Sequence, residues 1–238
     1  MTTNLSTTFT ITMALMLLLT SAIHAAGQEY SRDDLVFQPQ VFEYGSIGID
    51  YSVHHDFHLI NQGRMPVRIL DTEIDCDCTT LRLSDSVAAP GDTIVLKTKL
   101  KTSNLYGPTG KSVIVVTDHP LLERIEYRFP AEVGQWSQGF KPLPLGLMFL
   151  PGAKPQEVRI WNRHFPRATM EIADQYDSTF TVELVKASVA KGEMLTLSVS
   201  PNKDLPPGTH TSNFTLSIVR EGKETPVRLT IPVKAVKY

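Results

Sequence analysis

Cys76-Asp77-Cys78 is the stretch of this chain best equipped for chemistry, and three uses of the pair are open. A disulfide needs Cβ atoms roughly 3.5–4.5 Å apart, which a flat strand does not give to residues two positions apart. A bulge or turn would close the pair into a small strained ring with a high reduction potential, open to thiol-redox exchange. Two thiolates also supply half of a tetrahedral shell, and soft sulfur favours copper(I) or zinc. The third use is structural, as two small buried thiols or a bridge closing the edge of a sheet. The carboxylates of Asp75 and Asp77 would raise both thiol pKa values and slow nucleophilic attack, so the structural use leads.

Histidines are the partners a metal would need. His54, His55 and His58 lie on the strand-like run before the cysteines. His55 shares the inward parity of Phe57 and Leu59, whereas His54 and His58 face outward. A hairpin at Asn61-Gln62-Gly63-Arg64 would lay that run beside the cysteine segment, so a Cys76, Cys78, His54, His55 shell is the candidate metal site. Four carboxylates, Asp71, Glu73, Asp75 and Asp77, would share one face if that segment is extended. Same-face side chains on one strand are about 6.6–6.8 Å apart, too far to wrap calcium, and a solvated acidic face is the better reading.

Strands must position all of these groups. Apolar residues recur at every second position in Val53-His55-Phe57-Leu59, Ile94-Leu96, Val113-Val115 and Ile125-Tyr127-Phe129. The later half repeats the pattern in Val158-Ile160, Phe180-Val182-Leu184, Leu195-Leu197-Val199, Phe214-Leu216-Ile218 and Val227-Leu229-Ile231-Val233. Period-two alternation signals half-buried strands, and 16 prolines with 14 glycines supply the turns between them. Ala89-Pro90-Gly91-Asp92 and Pro206-Pro207-Gly208 each launch a strand after a tight turn. No window after residue 26 keeps a 3.6-residue period, so the chain is all-β.

A boundary falls near Val133-Gly134-Gln135-Trp136, leaving two stretches close to the ~100 residues of one immunoglobulin-like sandwich. The expected organisation is a signal peptide over 1–26, a first immunoglobulin-like domain over 27–135 with the Cys-x-Cys motif, and a second over 136–238. The leader carries no Asp, Glu, Lys or Arg, and its apolar run from Met13 to Leu19 precedes small residues suited to cleavage after Ala25 or Ala26. That run is too short to span about 30 Å of hydrocarbon, and no second long apolar stretch follows. The mature chain is therefore expected to be soluble and periplasmic or secreted, with no transmembrane segment.

Charge divides at the same boundary: residues 27–135 hold 16 acidic and 10 basic side chains, residues 136–238 hold 9 and 13. Opposite signs would steer the halves together or recruit separate partners, or else belong to unrelated solvated faces. The whole chain carries a net charge of −2, with no excess of cations for nucleic acid. Gly-x-Ser-x-Gly, His-Glu-x-x-His and a Gly-rich phosphate loop are all missing, so no catalytic residue is assigned and no enzyme is expected. Asn213-Phe214-Thr215 formally matches a glycosylation acceptor but sits inside an expected strand.

An ordered set of motifs carries a family resemblance. Phe42-Glu43-Tyr44-Gly45-Ser46-Ile47 is followed by Asn61-Gln62-Gly63 and Pro66-Val67-Arg68-Ile69. Cys76-Asp77-Cys78-Thr79-Thr80, Ala89-Pro90-Gly91 and Tyr106-Gly107-Pro108 come after them. Together they resemble bacterial exported immunoglobulin-like domains of unknown function related to the Hydin-type, ASH-like family. Glycine more usually separates that family's cysteines, and Asp77 departs from it. The second half keeps only Leu205-Pro206-Pro207-Gly208-Thr209. The resemblance implies a β-sandwich of the cell envelope without settled activity. The expected function is a non-enzymatic binding or assembly module for an envelope protein or polysaccharide, working through exposed sheet edges or the groove between domains. The alternative is a thiol-redox or copper/zinc protein centred on Cys76 and Cys78.

Overall fold

The structure, a computed structural model, describes residues 30–238; the leader and its cleavage site lie outside the described residues. Nine strands form the first half: β1 (Leu35–Gln38), β2 (Gly45–Ile47), β3 (Ser52–Asn61), β4 (Val67–Ile74), β5 (Thr79–Leu83), β6 (Val87–Ala88), β7 (Thr93–Lys101), β8 (Gly107–Thr117) and β9 (Arg124–Val133). A short 3-10 turn, Ser137–Gly139, leads into nine more. These are β10 (Pro142–Leu143), β11 (Leu147–Phe149), β12 (Gln156–Trp161), β13 (Arg167–Gln175), β14 (Phe180–Lys186), β15 (Ser188–Ala190), β16 (Met194–Pro201), β17 (Gly208–Arg220) and β18 (Lys223–Lys237).

The two halves repeat one wiring diagram. Sheet order β1-β3-β7-β5 in the first has its counterpart in β10-β12-β16-β14 in the second. The opposing sheets, β2-β9-β8-β4-β6 and β11-β18-β17-β13-β15, correspond in the same way. Each half is thus an immunoglobulin-like sandwich with its own core. Phe57, Leu59, Leu96, Val113 and Phe129 lie in one cluster, and Ile160, Leu197, Phe214, Leu216 and Leu229 in the other. Alternation builds both: β3 buries every second residue, and its inward row faces the opposite sheet.

A buried asparagine closes the same corner in each sandwich. Asn61 donates its side-chain amide to the carbonyls of Met65 and Ala88, and Asn162 donates to that of Phe165. This corner corrects the expected hairpin. β3 pairs with β1 and β7, whereas β4 pairs with β6 and β8 in the other sheet. The segment after Asn61 is an arch across the sandwich, and the inward-turned asparagine side chain ties that arch to β6 through the Met65 and Ala88 carbonyls.

The large sheets of the two halves join edge to edge. β2 pairs in parallel with β9 of its own sandwich and, through Ser46 opposite Leu229, with β18 of the other. The outer edge of β18 is shared, since β11 pairs with it further along, from Val233 to Ala235. Gly45 stands at this seam with φ at +67°, and a Cβ there would lie 2.1 Å from the carbonyl oxygen of Arg228. Only glycine fits, on both conformational and steric grounds. Beside it, buried Thr230 donates its hydroxyl to the Tyr44 carbonyl at 2.6 Å and meets Thr215 at 2.8 Å.

The polar row Asn213, Thr215, Ser217 of β17 is buried throughout. Phe214, Leu216 and Ile218 fill the core on one side, and the polar row lies on the opposite face. Small hydrogen-bonding side chains suit a buried face that must satisfy a neighbour's backbone.

Candidate functional site

Cys76 and Cys78 form a disulfide with a Cα–Cα distance of 5.2 Å. β4 ends at Ile74, and the turn that follows brings the sulfurs together. The Cys76 carbonyl accepts from the Thr79 amide, and the Cys78 carbonyl from that of Lys101, so the bridge clasps the start of β5. Cys78 also packs against the first core. In the second sandwich the corresponding turn into β14 has no sulfur. There, Asp177 Oδ1 accepts from the Thr179 amide at 2.9 Å and the Ser212 hydroxyl at 2.7 Å. A hydrogen-bonded turn thus stands in one half where the bridge stands in the other.

The four-residue metal shell is not assembled. His54 is opposite Lys99 on β7, and Lys99 is opposite Thr80 on β5, so β7 lies between the histidine strand and the strand the cysteines lead into. Two strand spacings separate them by roughly 10 Å. The sulfurs, bonded to each other, present no thiolate to a metal. The acidic face is also broken up: β4 carries a register shift between Ile69 and Asp71, Glu73 pairs with Arg124, and Asp75 accepts from the Ser112 amide.

The histidines instead meet the second sandwich. Buried Asn213 on β17 accepts from the His54 amide at 2.5 Å and donates to the His54 carbonyl at 3.1 Å, mimicking a strand partner with one side chain. With its amide nitrogen so engaged, Asn213 is no glycosylation acceptor in the fold. The His54 ring stacks on Tyr176 at 5.0 Å, with Nε2 3.0 Å from the Thr211 hydroxyl. His55 stacks on Phe42 at 3.5 Å, and its Nδ1 lies 3.3 Å from Asp174 Oδ2.

These contacts border a groove of about 650 Å³ between the sandwiches, whose walls include Phe42, His55, Asp56, Asp174, Tyr176 and Arg228. His55 is 7% exposed, and its Nε2 is buried without a hydrogen-bond partner, as are Asp56 Oδ1 and Asp174 Oδ2. Buried polar atoms without partners are costly and mark places where something else binds. Burial, reinforced by Asp56, pushes the Tyr176 phenol up to about 12, so it stays a neutral hydroxyl. Sequence reasoning had the histidines but missed Asp174, Tyr176 and Asn213. Counting by twos from Ala168 and Met170 would send Asp174 to the core face, but a register shift after Ile172 sets it opposite Thr215 on the other face, so no local signal marked it.

Burial, with Lys99 nearby, holds the His54 imidazole below its ordinary value of 6.5. Between that lower value and 6.5 the unfolded chain binds a proton the folded chain does not, so stability rises with pH through the window. Acidification below about pH 6.5 is therefore expected to destabilise the fold, and His54→Gln to flatten that slope. Urea titrations on either side of the window read the effect, and an unchanged slope in His54→Gln would clear His54 of it.

No curated protein matches the sequence. Among solved structures, the VesB protease of Vibrio cholerae overlays with a TM-score of 0.35 at 10% identity, over 42% of this chain and 32% of that one. This chain therefore spans about a third of VesB. The CupB2 chaperone of Pseudomonas aeruginosa overlays at 0.32 and 10% identity, over 83% of this chain and 98% of that one. The ASH/PapD-like domain of human CEP192 gives 0.33 and 9%, over 46% and 94%. Residues 35–133, which run from the first residue of β1 to the last of β9, match the family described as a protein of unknown function (DUF1573), so the match spans the first sandwich.

Proposed function

We propose that the chain is an exported, non-enzymatic binding or assembly module of the bacterial cell envelope, working through the groove between its two sandwiches. The observation that carries this reading is the set of buried, unpartnered polar atoms of His55, Asp56 and Asp174 on the walls of that groove. A wall built only for stability would pair them or replace them with apolar side chains. Export rests on the leader at 1–26. Among the described residues, no helix is long and apolar enough to cross a membrane. The disulfide is a staple in this reading, and binding does not pass through it.

One experiment separates the groove from the cysteines. Val41, 81% exposed at the groove, is replaced by a photoreactive amino acid in cells expressing the full chain, with Glu183 on β14 as the distant control. Illumination is expected to give a discrete adduct from position 41 and none from position 183. The Cys76→Ser/Cys78→Ser variant should keep the adduct while losing about 1–2 kcal/mol of stability, the chain-entropy value for so short a loop. Loss of the adduct in a cysteine variant that still folds would return the function to the thiols. No adduct at position 41 would remove the groove.

A further inference from the structure

We infer that the groove seats a basic side chain of an extended peptide from a partner protein. Its guanidinium or ammonium would lie between Asp56 and Asp174, and its main chain would pair with the free edge of β3 at Asp56. This rests on the groove being the working surface and names what enters it.

Three observations converge on that ligand. The first is that the open valences are acceptors. The carboxylates of Asp56 and Asp174 on the groove wall are acceptors outright, and Asp56 Oδ1 has no hydrogen-bond partner. His55 lies beside them, its Nδ1 3.3 Å from Asp174 Oδ2. A group rich in N–H donors and without acceptors complements such a set, and a guanidinium carries five donors in a planar fork.

Charge points the same way. Arg228 is on the groove wall, but among the described residues it makes no ion pair with either carboxylate. Nor, among the described residues, do three or more His, Cys, Asp or Glu side chains gather closely enough to hold a metal ion. Phe42 and the exposed Val41 offer apolar surface against which a lysine or arginine stem can lie.

The third observation is in the backbone. The Gln62 amide bonds the Asp34 carbonyl, which sets the ladder so that even-numbered residues of β3 turn their N–H and C=O toward β1. β1 stops at Gln38, opposite His58, and Asn213 occupies His54. Asp56 lies between them, with its N–H and C=O turned into the groove. One residue of an extended peptide fits that gap, and the volume of about 650 Å³ exceeds what a lone side chain would need.

The test uses fluorescence-labelled pentapeptides, Ala-Val-Arg-Val-Ala and its counterpart with citrulline, the uncharged isostere, in place of arginine. A third peptide is N-methylated at the central residue, and arginine amide serves as the competitor without a strand. Anisotropy against the full exported chain should show saturable binding of the arginine peptide. Binding is expected to weaken about tenfold or more with citrulline, and equally in Asp56→Asn and Asp174→Asn, isosteric changes whose folding is checked by circular dichroism. N-methylation should also weaken binding, and arginine amide should compete poorly. Equal binding of the arginine and citrulline peptides overturns the cation site, and competition by arginine amide as strong as by the peptide overturns the strand pairing. An adduct at position 41 without any binding of the arginine peptide sinks this proposal while leaving the groove as working surface; failure of both removes the groove as well.

Discussion

Replacing Gly45 with alanine should cost on the order of 3–5 kcal/mol and separate the two sandwiches. Two penalties combine there. The left-handed backbone at φ +67° disfavours any side chain, by about 1–2 kcal/mol. The new methyl would then lie 2.1 Å from Arg228 O and 2.4 Å from Arg228 C, backbone atoms of β18 that cannot rotate away. Either β2 leaves its place between β9 and β18, or β18 moves off and the Thr230 bond to Tyr44 is lost with it. Gly152→Ala is the matched control, because Gly152 has φ +76° but nothing within 4 Å of its missing Cβ. Urea midpoints should fall far more for Gly45→Ala than for Gly152→Ala. Equal shifts would mean that backbone strain alone explains the effect and that the seam is not tightly packed.

Asn213→Ala is expected to lose about 2–4 kcal/mol. The substitution leaves the His54 N–H and C=O without partners at a face where Asn213 itself is fully buried, and each orphaned group costs about 1–3 kcal/mol unless water reaches it. Hydrogen exchange offers a local readout beside the urea midpoint. The His54 amide should pass from strongly protected to fast-exchanging, while the Phe57 amide, on the side of β3 that faces β7, keeps its protection. Retained protection at His54 would show that another group holds the edge of β3.

The strands were legible because burying alternate residues leaves a period in the chain, and Val53 to Leu59 or Leu195 to Val199 display it openly. What alternation does not encode is the partner. It identifies β3 and β4 as strands but not that Asn61 turns inward and sends them to different sheets. For the same reason His54 and His55 looked like neighbours of the cysteines. Their true partners, Asn213 and Asp174, are more than a hundred residues away, and no local spacing reports such a pairing. The polar row of β17 carries the same ambiguity, because Asn213, Thr215 and Ser217 have the composition of a wet face whether they meet water or another sandwich. The cysteine pair could be narrowed but not decided from spacing, since the outcome depends on where β4 stops.

The place of β18 has a consequence for synthesis. The first sandwich has all nine of its strands once Val133 has emerged, but the strand that covers the far side of β2 comes about a hundred residues later, at Leu229. At roughly 5–20 residues per second, the nascent chain spends several seconds with an uncovered edge. That edge is only three residues long and begins with a glycine, a poor template for a stray strand. Brevity protects the unfinished molecule during the interval, and β18 then locks both halves together.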